Sequence, residues 1–458
     1  MCFYKNDLKA LSLFTDIGNL TYSLKKLLHY INNKVLVKIA SLQMASVLTR
    51  IVAGILTSKA IALFIGAEGL ALIGNFRSFV VSFQTIATGG FYKGVVKYIG
   101  EFKDDTLKLS RTLSTVYYLG FVLTIVVSFF CYFESEWING IIFPHPQNVN
   151  DYADVIRVFA IVLPFYVLNM FSFSIMNGHS KYKILIIINI IGQILSVSIA
   201  LLLIYQNHLQ GALISVAIAE SLIFLITLVG IINRKSLVSL IKVSEVNFTM
   251  FKKMAPYSLM ALFSAVLLPF VAIAVRSHII ENIGYKDAGF WEAMTRISNY
   301  YLMFVSSLIA LYLLPRFAEI EGAKAFKKEV ISFYKTIIPF LLGGLILIYI
   351  LKHYIVIGVF SSEFEPVEDL FLFQLLGDFV KILSIIIAYQ FLAKKMFWHY
   401  VLTEAFLVIV LYTTSIYFID LFDDVEGAVI AHFVSYLMYY GIILLIFGSS
   451  LFGVESEK

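Results

Sequence analysis

The sequence predicts an all-α polytopic membrane protein, with twelve transmembrane helices in two six-helix lobes around a central cavity. Composition is the first reason, because 60% of the 458 residues are hydrophobic and 14% are charged, against roughly 45–50% and 25% in soluble proteins. Twelve long apolar runs and a pattern repeated in both halves of the chain are the other reasons. Too few charges remain to cover the surface of a soluble protein of this length.

Several functional classes are disfavoured by the same sequence. Cys2 and Cys131, with no CxxC motif, argue against a disulfide framework or a cysteine-built metal cluster. The net charge of +5 is small for this length and argues against nucleic-acid binding. His278, His399 and His432 lack partners at metal-ligand spacing, which favours packing or interfacial roles. Because the P-loop, HExxH and GxSxG motifs are missing from the sequence, we expect no enzyme activity, no cofactor and no metal.

The apolar runs predict the individual helices in order. A transmembrane helix needs about 20 mostly apolar residues, and the runs are separated by turn sequences such as Asn177-Gly178 and Asp423-Asp424. The predicted spans are 38–64, 70–96, 112–133, 155–177, 183–205, 211–232, 254–277, 289–315, 330–351, 369–393, 398–419 and 427–450.

The distribution of Lys and Arg predicts that both termini are cytoplasmic. In that orientation 24 of the 35 basic residues lie in inner segments, and only Arg276, Lys286 and Lys352 lie in outer loops. Cytoplasmic loops of membrane proteins carry this excess. The remaining eight lie inside the predicted spans: Arg50, Lys59, Arg77, Lys93, Arg157, Arg296, Lys335 and Lys381.

Four segments are predicted along the chain. Residues 1–35 form a cytoplasmic extension, where Leu24, Leu27, Leu28 and Ile31 share one helical face. That face suits an interfacial helix, and an upstream extension without a role is the alternative. Residues 36–240 form the N-lobe, 241–452 the C-lobe and 453–458 a cytoplasmic tail.

A weak repeat relates the two predicted lobes. Residues 69–77 read GLALIGNFR and residues 289–296 read GFWEAMTR, each near the start of a corresponding span. Parallel repeats of this kind are a common transporter plan, in which the substrate path lies between the halves and one half rocks against the other. We therefore expect a two-bundle transporter.

Charged residues inside the spans are the candidate functional residues, because each costs about 2.5–3.5 kcal/mol at the bilayer centre. Glu292 with Arg296, spaced i, i+4, and Asp378 with Lys381, spaced i, i+3, can each meet on one helix face. Such pairs either hide charge or line an aqueous cleft, and both interpretations stay open.

An excess of basic residues predicts the character of the cavity. Arg77, Arg276 and Lys59 have no acid at helical spacing, which favours an anionic partner from elsewhere. The eight basic residues within spans outnumber the acids there, which are Glu220, Glu292, Asp378 and Glu404. The cavity between the lobes should therefore attract phosphate or pyrophosphate.

Four stretches of the sequence resemble the Wzx-type lipid-linked oligosaccharide flippases, and among them the translocases of the enterobacterial common antigen lipid precursor. They are GAEGLALIGNFRSF (66–79), GFYKGVVKYIGEF (90–102), GFWEAMTRISNYYLMFVSSLIALYLLPRF (289–317) and DLFLFQLLGDFVKI (369–382). The resemblance runs from about Leu36 to the last span. It implies membership of the multidrug, oligosaccharidyl-lipid and polysaccharide exporter superfamily, whose members of this type move an undecaprenyl-pyrophosphate-linked glycan across the cytoplasmic membrane.

The resemblance also implies roles for particular residues. Arg77, Lys97, Arg276, Asp378 and Lys381 match charged family positions, and Arg50 and Lys59 match basic ones. Lys93, Glu220, Glu292 and Arg296 depart from the family pattern. The predicted substrate contacts are Arg50, Lys59, Arg77, Lys97, Arg276 and Arg296, and the predicted ion-coupling or switch residues are Asp378, Lys381, Glu292, Glu220 and Glu404.

The predicted function is the transfer of an undecaprenyl-pyrophosphate-linked O-antigen or enterobacterial common antigen unit to the periplasmic leaflet by alternating access. The lipid-linked glycan and membrane lipid are the expected partners, with a polysaccharide polymerase and a chain-length regulator as further ones. A multidrug or toxin exporter is the alternative, although it should have an acidic cavity for cationic drugs. A membrane scaffold for a polysaccharide polymerase is a second alternative.

Overall fold

The computed structural model describes residues 34–102, 105–144, 152–178, 182–232 and 240–452. Within these ranges the chain is built from α-helices and contains no β-strand. The predicted all-α fold class is therefore confirmed. The predicted interfacial helix near Leu24 and the predicted tail 453–458 lie outside the described residues.

The helices follow the apolar runs closely. In the first half they are α1 (Lys34–Phe64), α2 (Gly66–Ala87), α3 (Tyr92–Glu101), α4 (Thr106–Phe133), α5 (Ser135–Ile142), α6 (Ala153–Gly178) and α7 (Tyr182–Ile232). In the second half they are α8 (Phe248–Asn282), α9 (Tyr285–Glu319), α10 (Ala323–Ile350), α11 (Lys352–Val359), α12 (Val367–Ala393), α13 (Phe397–Phe422), α14 (Glu426–Ile446) and α15 (Gly448–Phe452). Short 3₁₀ helices cover Val243–Glu245 and Ser362–Phe364.

Ten helices in the described part of the chain are long and apolar enough to cross a membrane, so the protein is a multi-pass membrane protein. One of them, α7, is interrupted by non-helical backbone at Asn207 and His208. Its two arms run antiparallel, because the Ser196 hydroxyl donates to the Ala219 carbonyl at 2.9 Å. The arms match the fifth and sixth predicted spans. Helix α9 is 35 residues long, but it carries charged residues and is not one of the ten apolar helices. The count of twelve spans in two lobes stays a prediction.

Polar side chains mark where two of the long helices begin. Asp105 precedes α4, and its carboxylate accepts the backbone N–H of Lys108 at 3.0 Å, which lowers the pKa of Asp105. Asn247 precedes α8 and accepts the N–H groups of Thr249 and Met250 at 2.9 and 3.2 Å. Both are N-caps that satisfy backbone donors without a partner inside the helix.

Helix α2 and the turn that follows it pack along most of α8. Asn75 meets Arg276 at one end, and the Ser82 hydroxyl donates to the Val266 carbonyl at 3.4 Å in the middle. At the other end, a Cβ added at Gly90 would lie 2.6 Å from the Ser258 carbonyl oxygen. The numbering runs in opposite directions, so the two helices are antiparallel.

The other side of α2 contacts α9, and these two helices run parallel. Gly289 packs on the backbone of Ala67, and Glu292 packs on Gly74 one to two turns further along. Because α8 and α9 follow each other in the second half of the chain, α2 from the first half lies between them. Four of the predicted site residues lie at this three-helix contact, namely Arg77, Arg276, Glu292 and Arg296.

Candidate functional site

Three charged side chains form a buried cluster where α2 meets α8 and α9. Glu292 lies between two arginines, with Oε2 at 2.6 Å from Arg276 Nη2 and Oε1 at 2.9 Å from Arg296 Nε. The residues are only 2–4% exposed. A buried carboxylate between two guanidinium groups leaves a formal charge of +1, so the cluster would accept a further anionic group.

Polar groups from the first half of the chain complete this cluster. Asn75 accepts a hydrogen bond from Arg276 Nη1 at 2.8 Å and donates to the Ile142 carbonyl at 2.9 Å. Ser58 of α1 lies 3.5 Å from Arg296 Nη1 and 2.8 Å from the Tyr300 hydroxyl. The cluster is therefore shared between the two halves of the chain, and separating them would break these hydrogen bonds.

Gly74 allows the α2 backbone to approach the cluster. A Cβ added at this position would lie 2.6 Å from the Glu292 carboxyl carbon and 2.9 Å from Cζ of Arg276. The Arg276 guanidinium also lies 5.1 Å from the centre of the Trp291 ring, a favourable cation–π distance. Arg276 Nε and Arg296 Nη2 are buried without a hydrogen-bond partner in the described part of the chain. Each guanidinium therefore keeps a donor nitrogen that no protein group uses there.

The sequence shows no acid at helical spacing from Arg276 and favours an anionic partner from elsewhere, and the structure supplies one within the protein. Its partner, Glu292, is on the next helix, so the spacing rule for a single helix does not apply. The predicted contact between Glu292 and Arg296 is present, because residues four apart on one helix share a face. Both arginines were predicted as substrate contacts, and the structure shows that both are held by the same carboxylate.

Arg77 lies one helical turn beyond this cluster on α2 and is exposed. It interacts electrostatically with Arg296 and Glu292 of α9 and with Glu220 of α7, and Glu220 is also exposed. Charged residues from both halves of the chain, on α7 and α9, therefore surround Arg77. This is the most accessible positive charge near the cluster.

A second polar network surrounds Asp378 on α12. Its Oδ2 accepts hydrogen bonds from the Ser298 hydroxyl at 2.5 Å, from Gln374 Nε2 at 3.3 Å and from the Tyr301 hydroxyl. Its Oδ1 lies 3.0 Å from His432 Nε2 on α14. Asp378 is completely buried, so these four neighbours replace water around its carboxylate.

The expected contact between Asp378 and Lys381 is not formed. No ion pair within 4.0 Å joins them among the described residues, and Lys381 Nζ lies instead over the Tyr436 ring, 5.2 Å from its centre. The reason is that each side chain turns toward a different residue of α14. Glu404, on α13, accepts a hydrogen bond from the Tyr439 hydroxyl at 3.5 Å.

The remaining predicted substrate contacts lie apart from the charged cluster. The Lys59 ammonium group donates to the carbonyls of Ile357, at 2.8 Å, and of Phe360. Both carbonyls lie at the end of α11, so the ammonium group of Lys59 already has partners within the protein. Arg50 is exposed on α1, two turns before Ser58. The side chains of Lys97 and Lys93 on α3 lie outside the described residues.

Several site residues carry no charge and were not predicted. Asn75 follows Gly74 in the stretch that contains NFR. Its contact with Arg276 depends on how α2 packs against α8, which the sequence does not show. His432 was expected to have a packing or interfacial role, and it lies within hydrogen-bond distance of Asp378. Ser298 and Tyr301 are three residues apart on α9, a spacing that places them on one face of the helix.

The sequence of this chain is similar to those of known proteins. Residues 76–369 match the model of the family described as polysaccharide biosynthesis protein. The Lipid III flippase of Escherichia coli (strain K12) is 25% identical over 401 residues, which cover 87% of this chain and 94% of that protein.

Solved structures share the fold at lower sequence identity. An inward-facing multidrug resistance MATE family transporter of the MOP superfamily superposes with a TM-score of 0.70 at 13% identity, covering 88% of this chain and 95% of that one. An inward closed conformation of the lipid II flippase MurJ gives a TM-score of 0.66 at 15% identity, covering 91% and 90%. The helices are therefore arranged as in MOP superfamily transporters.

Proposed function

Because the chain belongs to the polysaccharide biosynthesis protein family, we propose that it is a flippase that moves a lipid-linked oligosaccharide across a membrane. The observation that carries this proposal is the match to the Lipid III flippase, which extends over 94% of that protein. The resemblance predicted from the sequence is confirmed by these two findings. The proposed cargo is an undecaprenyl-pyrophosphate-linked O-antigen or enterobacterial common antigen unit.

Basic residues between the two halves support an anionic headgroup as the cargo. Arg77 is exposed and would be the first to meet the pyrophosphate. Arg276 and Arg296 are each occupied by Glu292, and each keeps a buried donor without a partner. Guanidinium groups bind phosphate oxygens through two parallel hydrogen bonds, so a pyrophosphate would compete with Glu292 for them.

Alternating access would require the outer contacts between the halves to separate. On the predicted outer side these include the hydrogen bond between Asn75 and Arg276 and the hydrogen bonds from Lys59 to the end of α11. An anion that binds the arginines in place of Glu292 would break the ion pair between α8 and α9, next to the hydrogen bond from Arg276 to Asn75 of α2. Outward movement of phosphate charge is also favoured by an inside-negative potential, at about 2.3 kcal/mol per charge for 100 mV.

The network around Asp378 is proposed as the site of ion coupling or switching. Asp378 is buried and contacts His432 of α14 and Ser298 of α9, so a change in its charge would alter the packing of three helices. Lys381, Glu404, Glu292 and Glu220 are further candidates for this role. Protonation or a bound cation would each neutralise the carboxylate.

The proposed location is the cytoplasmic membrane of a bacterium, with both termini in the cytoplasm. The division into an N-lobe, residues 36–240, and a C-lobe, residues 241–452, is part of this proposal. A polysaccharide polymerase and a chain-length regulator are proposed partners, because they would use the translocated glycan.

Multidrug export is the second candidate, and the similarity in fold to a MATE family transporter favours it. Export of cationic drugs requires acidic groups on the substrate path. The α2, α8 and α9 contact instead carries three arginines, Arg77, Arg276 and Arg296, against one glutamate, Glu292. The lipid-linked anion is therefore the better fit.

Deletion of the gene in its bacterium distinguishes the two candidates. We expect the lipid-linked glycan to accumulate at the inner leaflet and the surface polymer to disappear, with recovery when the wild-type gene is supplied. A matched strain carrying Arg77→Ala should remain deficient, whereas one carrying Lys252→Gln, a change of one exposed basic residue elsewhere, should recover. Unchanged surface glycan together with increased drug sensitivity would contradict the proposal.

A further inference from the structure

The surface of α10 carries an open groove of about 480 Å³ near the start of the helix. Four of the six residues that line it are lysines, and the six residues lie at positions i, i+3, i+4, i+7, i+8 and i+11. They are Lys324, Lys327, Lys328, Ile331, Ser332 and Lys335. This spacing places them on one helix face, and the predicted topology places that face at the cytoplasmic membrane surface.

Glu329, the acid next to Lys328 in the sequence, does not pair with Lys327, Lys328 or Lys335. Glu329 lies on the same helix, but its carboxylate accepts hydrogen bonds from Tyr312 at 2.7 Å and from Arg316 at 3.1 Å. These partners lie on α9, so Glu329 points away from the groove. No acidic group of the described residues lies within 4.0 Å of the ammonium groups of Lys327, Lys328 or Lys335.

The same face of α10 continues into the membrane as an apolar surface. Leu342, Ile346 and Tyr349 follow Lys335 at intervals of seven, four and three residues, and they are 40%, 57% and 41% exposed. Only 11% of the most apolar part of α10 is buried. A lipid lying on this face would therefore meet apolar side chains along its acyl chains and lysines at its headgroup.

We propose that this lysine face binds the phosphate groups of anionic phospholipids in the cytoplasmic leaflet. Basic clusters next to a membrane helix attract anionic lipids. Lys327 and Lys335 are eight residues apart, about 12 Å along the helix axis, which suits separate phosphodiester groups better than two directly bonded phosphates. The positive-inside rule concerns only the number of basic residues in cytoplasmic loops. It does not require these lysines to lie on one helix face together with an apolar surface.

The test compares two variants of the full chain with equal changes in charge. One carries Lys327→Gln, Lys328→Gln and Lys335→Gln, and the control carries Lys242→Gln, Lys252→Gln and Lys253→Gln. The control lysines are also exposed and are on the same predicted side of the membrane. Phosphatidylglycerol bound to each purified protein is measured by native mass spectrometry, with phosphatidylcholine and inorganic pyrophosphate as competing probes.

We expect the α10 variant to bind phosphatidylglycerol at least about tenfold more weakly than the wild type, and the control variant to bind it almost unchanged. Equal losses in both variants would show a general effect of net charge and would overturn the proposal. Displacement of phosphatidylglycerol by millimolar pyrophosphate would also overturn it, in favour of a site for a diphosphate headgroup. Both variants should fold, because the substituted side chains have no acidic partner among the described residues.

Discussion

Glu292 Oε2 lies 2.6 Å from Nη2 of Arg276, and the two residues come from adjacent helices that enclose α2. Both side chains are almost completely buried. Removing one partner of a buried ion pair lowers stability by far more than the pair contributes, because the other charge stays buried without compensation. The relationship therefore makes the packing of α8 and α9 around α2 sensitive to single substitutions.

Glu292→Gln should destabilise the protein by about 3–5 kcal/mol, because it leaves two buried arginines without a carboxylate. Thermal unfolding of the purified protein measures this effect. Glu220→Gln is the matched control, since Glu220 is exposed and its loss should change stability by about 0.5 kcal/mol or less. Equal stability of the two variants would show that the cluster is not needed for packing.

Gly74→Ala should destabilise the protein by about 1–3 kcal/mol through overpacking. The added Cβ would lie 2.6 Å from the Glu292 carboxyl carbon, so α2 or the carboxylate has to move. Gly343→Ala is the control, because nothing lies within 4 Å of a Cβ added there and alanine has the higher helix propensity. A Gly74→Ala protein as stable as the control protein would mean that α2 does not approach the cluster closely.

Arg77→Ala should abolish surface glycan export without lowering the amount of protein in the membrane. The side chain is exposed, so its removal leaves no buried group without a partner. Export in a deletion strain and immunoblotting of membranes measure the two quantities. Arg77→Lys should retain part of the activity, because it keeps the charge but not the planar guanidinium. Normal export by Arg77→Ala would remove Arg77 from the proposed substrate path.

Asp378→Asn and His432→Gln should impair export by similar factors, and the double variant should be little worse than either single one. This follows from the 3.0 Å contact between the two side chains, because residues in direct contact do not act additively. Lys381→Gln should couple more weakly with Asp378→Asn than His432→Gln does, since Lys381 packs on Tyr436 and forms no ion pair within 4.0 Å with Asp378 in the described part of the chain. The opposite pattern would restore the direct pair of Asp378 and Lys381 that helical spacing suggests.

Lys59→Met should favour the conformation that is open on the predicted outer side. Lys59 donates to carbonyls at the end of α11, and methionine keeps a similar length but cannot donate. Reaction of an introduced Ser58→Cys with a membrane-impermeant thiol reagent should therefore be faster in the Lys59→Met background. An unchanged rate with lost export would favour the substrate contact that the sequence predicts for Lys59.

The features that the sequence predicts correctly depend on local order along the chain. Helix positions follow from apolar runs, and the gap between the predicted spans 183–205 and 211–232 correctly separates the two arms of α7. The contact between Glu292 and Arg296 follows from their spacing of four residues. The reason is that a helix fixes which residues within two turns share a face.

Composition and charge by themselves determined that the chain spans a membrane repeatedly and that its few intramembrane charges are the candidate functional residues. Only the tertiary structure decided how those charges are paired. Arg276 and Glu292 are 16 residues apart, Asp378 and His432 are 54 apart, and Lys59 is 298 residues from Ile357. Contacts between helices depend on how the helices pack, and helical spacing within one segment carries no information about which neighbour a side chain will meet.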